Sequence, residues 1–230
     1  MLNALIFIYQ YLAWHDLGVA IILLTLVIRF LLYPLMAESI RVQKVTSDIQ
    51  PKIKAIQEKH KNDKEKQAAL LMALWKEHKI NPLSGLVLVL LQLPILIALY
   101  QVLAKNIAAS ASLAGLYNFV PNPGAINTMF LGIIDLAGVS LWLAVLAGVF
   151  QFIQTKMITF NAAAKSNSSL DKVEQMAAVQ NKALLYIFPF FTVFICLKLP
   201  AALALYWIVS TLFSIAQQHL VLKKLKPVAA

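Results

Sequence analysis

One arginine stands out among the residues that could do chemistry, because it lies inside a long apolar run. Arg29 falls 13 residues into the stretch 17–35, which contains no other charge. An arginine near the middle of a membrane span costs about 2.5–3.5 kcal/mol on insertion scales, and it usually faces protein or water. Its long stem could instead lift the guanidinium to the lipid headgroups, which is called snorkelling. Arg29 therefore predicts either a hydrated cavity or a headgroup contact.

Polar side chains on the other apolar runs could share a cavity with Arg29. Thr25 lies one turn earlier on the same helical face, and Gln92 lies midway along the run 83–104. None of the apolar runs contains Asp or Glu, so an ion pair within them is not expected. For any single Ser or Thr, a hydrogen bond between packed helices is the simpler interpretation. Two of the runs contain several polar residues on one helical face, and two such stripes favour a hydrated groove over simple helix packing. The stripes are Gln151, Gln154 and Thr155 on one run, and Tyr206, Ser210, Ser214 and Gln217 on another.

Residue clusters typical of enzymes are absent from the sequence. The four histidines are scattered, and there is no HExxH motif or phosphate-binding glycine loop. We therefore predict no catalytic residues, no metal site, no cofactor and no small-molecule substrate. Cys196 lies in an apolar run and is interpreted as a packed thiol. The net charge of +10 suggests nucleic acid, but no basic patch is interleaved with base-stacking aromatics, so direct nucleic acid recognition is not predicted.

The composition indicates the environment in which these residues act. Hydrophobic residues make up 60% of the 230 residues and charged residues only 13%. Soluble domains usually contain about 25% charged residues. The apolar residues collect in runs close to the roughly 20 residues that cross a bilayer as a helix. The sequence therefore predicts an all-α, polytopic membrane protein with five transmembrane helices.

Charged and proline-containing stretches divide the chain into segments. Residues 2–14 lack Lys and Arg but contain Tyr9, Tyr11 and Trp14, which are residue types that settle at membrane interfaces. They predict a short interfacial helix, with a frayed extension of the first span as the alternative. The predicted segments are the interfacial helix 1–16, spans at 17–35, 83–104, 136–156, 183–198 and 201–221, a helical hairpin at 36–82, an extracytoplasmic loop at 105–135, a cytoplasmic loop at 157–182 and a basic tail at 222–230.

The charged stretch 36–82 predicts a helical hairpin outside the membrane. It contains ten Lys or Arg and six Asp or Glu. Pro51 is placed to open one helix, and Asp63 is placed to cap the next. Narrow apolar faces, one of which includes Trp75, would join the two helices. We interpret this hairpin as a mobile reception site for substrates. The basic residues singled out on it are Lys52, Lys54 and Lys59.

Lys and Arg are distributed unevenly between the loops. In a chain with five spans, 17 of the 20 lie in the hairpin, in the loop 157–182 together with Lys156, or in the tail. Only Lys105 and Lys198 lie on the other side. Basic residues in short loops favour the cytoplasm. This split predicts that the hairpin and the C-terminus are cytoplasmic and that the N-terminus is outside.

Several motifs follow one another along the chain. They are Val27 to Leu35 around Arg29, the hairpin motif from Gln50 to Lys76, Asn81 to Tyr100 with Gln92-Leu93-Pro94, and Pro189 to Gln218 with Pro200, Tyr206-Trp207 and Gln217-Gln218. In this order, and over nearly the whole chain, they resemble the YidC/Oxa/Alb family of membrane protein insertases.

The resemblance implies a protein of the bacterial plasma (inner) membrane. It also implies a five-helix core with a hydrophilic groove that is open to the cytoplasm and to lipid but closed to the outside. Nascent transmembrane segments would pass through this groove into the bilayer without ATP. It also implies that Arg29 is the groove arginine, that Gln151 or Gln154 is the polar residue of the third span, and that Tyr206 and Trp207 are the aromatic pair of the fifth. The implied partners are nascent membrane proteins and the lipid bilayer, with the Sec translocon, the ribosome and the signal recognition particle receptor as candidates.

Some positions depart from the family pattern, and two other functional classes compete with an insertase. Ala201 and Ala202 follow Pro200 where Ser-Gly is common, Lys198 replaces a large apolar residue, and Thr211 replaces an Asn. The competing classes are a small-solute transporter or channel and a non-catalytic assembly scaffold. A transporter needs a path to both sides, which the apolar outer halves of the predicted spans disfavour.

Overall fold

The computed structural model describes the backbone at residues 1–80, 84–102, 115–163 and 185–225, and the side chains at 1–80, 93–102, 115–157 and 185–225. These residues form α-helices and one small antiparallel sheet, so the all-α prediction is confirmed. The helices are α1 (Leu2–Tyr11), α2 (Leu17–Leu31), α3 (Tyr33–Asp48), α4 (Gln50–Lys59), α5 (Lys64–Glu77), α6 (Ser84–Val102), α7 (Leu141–Ala163), α8 (Leu185–Cys196) and α9 (Ala201–Lys224), and the strands are β1 (Met129–Phe130) and β2 (Ile134–Asp135).

Parts of the predicted segments lie outside the described residues. These are most of the loop 157–182, the beginning of the loop 105–135, the end of the tail 222–230 and the side chain of Gln92.

Several helices are apolar enough to be considered as membrane spans. By length and composition, α9 can cross a bilayer, and α2 with α3 passes the same test as one bent pair. Shorter apolar helical stretches lie at Leu93–Val102, Leu141–Met157 and Leu185–Cys196. These findings cover only the described residues, and the count of five spans stays a prediction.

The first predicted span, 17–35, is divided by a sharp bend at Leu32. α2 and α3 meet there at 65°. Pro34 lies in the first turn of α3. In a continuous helix its ring would clash with the carbonyl four residues earlier, and it has no N–H to donate. The new direction lets α3 pack along α9. Thus the beginning of the predicted hairpin 36–82 belongs to the wall of the helix bundle.

α1 is a helix of its own and not an extension of α2. Trp14 and His15 have φ values of 48° and 60° in the turn between the two helices. Asp16 then caps α2, because its side chain accepts a hydrogen bond from the Val19 amide at 2.9 Å. Its other carboxylate oxygen accepts from the Leu131 amide at 2.7 Å. A frayed extension of the first span is therefore excluded, while the interfacial position of α1 stays a prediction.

The apolar core lies at one end of the bundle, where α1, α2, α7 and α9 meet. Leu5, Leu17 and Leu136 are fully buried in it, and so is the beginning of α9 from Ala201 to Tyr206. The amides of Ala201 and Ala202, the first two of α9, donate to the carbonyls of Gly138 and Leu136 at 2.7 and 3.1 Å, and both acceptors lie in the loop between β2 and α7. These bonds satisfy two of the amides that a helix leaves without partners at its start. Apolar side chains therefore fill this end of the bundle, and backbone hydrogen bonds fix the start of α9 in it.

Large apolar side chains cover the outer surface of α2, α7 and α8. Trp142 is 82% exposed, Phe190 75% and Leu31 74%. Soluble monomers rarely expose large contiguous apolar patches, whereas contact with lipid makes such a surface favourable. The exposed surface agrees with the membrane environment that the composition predicts.

α4 and α5 form the predicted hairpin. Pro51 lies in the first turn of α4, and Asp63 caps α5 by accepting a hydrogen bond from the Lys66 amide at 2.9 Å, so both predictions are confirmed. The apolar faces of the two helices meet in a small cluster, with Trp75 packed against it. The buried members of this cluster are Val42, Ile49, Ile53, Leu74 and Ile80. Among the described residues, the hairpin adjoins the bundle mainly through α3.

Candidate functional site

A cavity of about 350 Å³ lies between α3 and the middle of α9. Helices α2, α6, α7 and α8 also contribute to its walls. The polar side chains that line it are Arg29, Gln43, Gln151, Gln154, Ser210, Thr211, Ser214, Gln217 and Gln218. The apolar ones are Met36, Ile40, Leu93, Leu96, Phe188 and Trp207.

The cavity brings together most of the residues predicted for the groove. Those that line it are Arg29, Gln151, Gln154, Trp207, Ser210 and Ser214. Thr25 and Tyr206 are buried in the bundle and are not part of the lining. The Thr25 hydroxyl donates to the Ile21 carbonyl at 2.6 Å, which is a bond within α2 itself. The side chain of Gln92 lies outside the described side chains.

Arg29 lies in the last turn of α2, immediately before the bend. Only 9% of the residue is exposed, and its side chain lines the cavity wall. A snorkelling arginine keeps its charged group in the headgroup region, so such burial beside a polar cavity favours the other interpretation. The use of this charge in function stays a prediction.

Gln151 connects α7 to α9 at the edge of the cavity. Its side-chain oxygen accepts a hydrogen bond from the Trp207 indole nitrogen at 3.1 Å. Its side-chain nitrogen lies 3.4 Å from the Thr155 hydroxyl, which in turn donates to the Gln151 carbonyl at 2.8 Å. Gln154 also lines the cavity, so the two glutamines left open by the sequence both face it. They differ in that Gln151 has a defined partner on another helix.

The serine stripe of α9 faces the cavity through Ser210 and Ser214. The Ser214 hydroxyl donates to the Ser210 carbonyl at 2.9 Å. The Ser210 hydroxyl is buried and has no hydrogen-bond partner among the described residues. Buried hydroxyl groups normally have a partner. Ser210 can therefore bind a polar group that enters the cavity.

Sequence reasoning missed the contribution of α3 to the site. Met36, Ile40 and Gln43 line the cavity, at spacings of four and three residues that place them on one helical face. This spacing could have identified them. The high charge of 36–82 obscures this signal, because it predicts that the whole stretch lies outside the membrane.

The site can attract and solvate a polar or acidic group. Its lining combines one cation with amides and hydroxyls in a partly buried setting. Within the described part of the chain, no three His, Cys, Asp or Glu side chains come together to hold a metal ion.

Comparison with known proteins identifies the family of the chain. The family described as 60Kd inner membrane protein matches residues 7–228. The membrane protein insertase YidC of Fusobacterium nucleatum subsp. nucleatum is 31% identical over 208 residues, which are 90% of this chain and 86% of that protein. The membrane protein insertase YidC of Magnetococcus marinus is 32% identical over 92% of this chain, and that of Geobacter metallireducens is 30% identical over 98%. Both relatives are longer proteins, and this chain spans only 33% and 36% of their respective lengths. The chain therefore belongs to the 60Kd inner membrane protein family, and its resemblance to the YidC/Oxa/Alb insertases is confirmed.

Proposed function

We propose that this chain is a membrane protein insertase that passes nascent transmembrane segments into the bilayer through the cavity between α3 and α9. The relatives named as YidC insertases support this activity. The observation that supports the mechanism is the lining of the cavity, which places Arg29 beside the amides and hydroxyls of α7 and α9.

The cavity lowers the free-energy barrier to moving the polar end of a substrate across the hydrocarbon core of the bilayer. A cavity that admits water shortens the dry part of the path, and Arg29 attracts acidic groups transiently. The apolar part of the substrate then slides into lipid, where its burial contributes about 25 cal/mol per Å² of apolar surface. This driving force requires neither ATP nor a covalent step.

The other end of the bundle supports a groove that is closed to the outside. The core of α1, α2, α7 and α9 fills that end with apolar side chains, including the first two turns of α9. A channel or transporter would need a polar path through this core. An insertase needs only the cavity, so the closed end supports it over that alternative.

Insertion by the purified protein tests the proposed function. We expect a small single-span substrate to gain a protease-protected fragment in liposomes that contain the protein, but not in protein-free liposomes. Flux of small solutes should be equal in both. Solute flux without insertion would indicate a transporter. Crosslinking to the substrate without protection would indicate a scaffold.

The topology follows from the uneven distribution of Lys and Arg and is tested by labelling. We propose that the hairpin and C-terminus are cytoplasmic and the N-terminus is outside. Single cysteines at Lys64 and Asn122, both exposed, are introduced into a Cys196→Ser background. In intact cells, an impermeant maleimide should label only the cysteine at position 122. Labelling of both positions from outside would refute the topology.

We also propose that the α4–α5 hairpin is a mobile reception site for substrates. The Sec translocon, the ribosome and the signal recognition particle receptor are candidate partners of the chain. Lys52, Lys59 and Asp63 are exposed on it, and Lys54 is half-buried. Its apolar cluster is small and separate from the main core. Few contacts to the bundle imply a low free energy of local opening.

Deletion of residues 51–80 tests the reception role of the hairpin. We expect insertion to fall about fivefold or more, since substrates lose their first contact, while the bundle stays folded. Folding is checked by protection of the buried Cys196 from a thiol-reactive dye. In the intact protein, amides of α4 and α5 should exchange faster than those of α9. Full insertion after the deletion would refute reception, and equal exchange would refute mobility.

A further inference from the structure

Two side chains of α9 hold the bend between α2 and α3, which we call the elbow. The Gln217 side-chain nitrogen donates to the Tyr33 carbonyl at 2.9 Å, and this glutamine is only 3% exposed. The Phe213 ring meets the Phe30 and Tyr33 rings edge-on, at centroid distances of 5.1 and 6.5 Å. Since Phe30 lies on α2 and Tyr33 on α3, these contacts span the elbow.

The elbow needs such support because the helix is interrupted there. Pro34 cannot donate to the carbonyl four residues earlier, so the intrahelical hydrogen bond that would stiffen this joint is missing. A carbonyl oxygen has two lone pairs, so Tyr33 can accept from Gln217 in addition to any bond within α3. The Gln217 bond therefore adds a restraint from α9 where α3 begins.

The angle at the elbow controls the width of the cavity. Gln43 lies ten residues beyond Tyr33, so it is about 15 Å from the elbow along α3. A rotation of about 10° at the elbow would move Gln43 by about 2.6 Å, roughly the diameter of a water molecule. Met36 and Ile40 would move with it. Arg29 is only three residues before Leu32, so its position depends on the same joint.

We propose that Gln217 and Phe213 are positioning residues that set the elbow angle and thereby place Arg29 against the α3 wall of the cavity. The structural part of this proposal concerns the angle alone. Its consequence for insertion rests on the proposed function, so the two parts are tested with different measurements.

The angle is measured as a distance between spin labels at Arg41 on α3 and His219 on α9, both exposed, in a Cys196→Ser background in lipid nanodiscs. Gln217→Met keeps the length of the side chain but removes its donor. We expect the width of the distance distribution to increase about twofold, because the elbow samples more angles. Gln218→Met is the matched control, since this neighbouring glutamine also lines the cavity and should leave the distribution unchanged. An unchanged distribution in Gln217→Met, or equal broadening in both variants, would overturn the proposal.

Two further variants keep the structural part testable. If Gln217→Met does not fold, the distance is measured in Gln217→Leu, whose apolar side chain cannot donate; a narrow distribution there would also overturn the proposal. Phe213→Leu removes the two ring contacts but stays apolar, and it should broaden the distribution as well. A narrow distribution in Phe213→Leu would remove Phe213 from the proposal.

The insertion assay then tests the consequence for function. We expect Gln217→Met to lose about fivefold more insertion of acidic-ended substrates than Gln218→Met, because both variants remove one amide from the cavity but only one frees the elbow. Equal losses would overturn the link between elbow and insertion. If the wild-type protein inserts nothing, the proposed function fails, whereas the distance measurement still decides the role of Gln217.

Discussion

Replacing Arg29 with alanine is expected to reduce insertion of substrates with acidic outer ends by at least about tenfold. Hydrogen bonds to charged groups contribute about 1.5–3 kcal/mol, and 1.4 kcal/mol corresponds to a factor of ten. Among the described residues that line the cavity, Arg29 is the charged one, so none of the others can replace its positive charge. Substrates with neutral ends should lose less than about threefold, because they do not use that charge.

The lysine variant separates the three possible roles of Arg29. If the positive charge is what matters, Arg29→Lys should retain most of the insertion activity. If Arg29 is a bidentate structural clamp, Lys should fail as badly as Ala and the melting temperature should fall, because the two side chains are not interchangeable at such sites. If Arg29 only snorkels, the alanine variant should be nearly harmless.

Arg41→Ala is the matched control for these variants. Arg41 lies on α3 with its side chain 61% exposed, and it is not part of the cavity. Removal of its charge should leave both insertion and melting temperature unchanged. Normal insertion of acidic-ended substrates by Arg29→Ala would end the proposed role of this residue.

Replacing Gly148 with alanine is expected to destabilise the packing of α7 on α8. A Cβ atom at this position would overlap the Val193 side chain and would lie 3.3 Å from the Pro189 carbonyl. Gly→Ala inside a helix normally stabilises it by about 0.8–1 kcal/mol. Overpacking costs about 1–3 kcal/mol, so here the sign should reverse. The net loss is then up to about 2 kcal/mol, so we expect a melting temperature about 5 °C lower in a protein of this size.

The chain contains a built-in reporter for this measurement. Cys196 is its single cysteine, lies at the end of α8 and is buried, so a thiol-reactive dye detects the loss of packing on heating. Val193→Ala in the Gly148→Ala background should recover part of the loss, because it removes the overlapping methyl groups. Gly138→Ala is the control, since a Cβ there would lie 3.9 Å from its nearest neighbours. A melting temperature for Gly148→Ala equal to or above that of the wild type would contradict the packing.

Local features of the chain were determined by the sequence itself. Pro51 in the first turn of α4 and the Asp63 cap of α5 depend on residues within one turn, so a linear pattern is sufficient to predict them. The face shared by Ser210, Ser214 and Gln217 follows from helical periodicity, and all three line the cavity, whereas Tyr206 of the same predicted stripe does not. The motifs were sufficient to identify the family, because their order along the chain does not depend on tertiary contacts.

Only the tertiary structure decided which faces meet. Periodicity places residues on one side of a helix but does not say what lies opposite, so Thr25 and Tyr206 were predicted for the groove and are instead buried beside it. The sequence does not decide between Gln151 and Gln154, because the two residues lie on one helical face. In the structure both line the cavity. The charge of residues 36–82 predicts that they lie outside the membrane, but the bend at Leu32 brings α3 against α9, where it forms one wall of the cavity. Gln217 and Tyr33 are 184 residues apart, and their hydrogen bond exists only because that bend brings α3 back to α9.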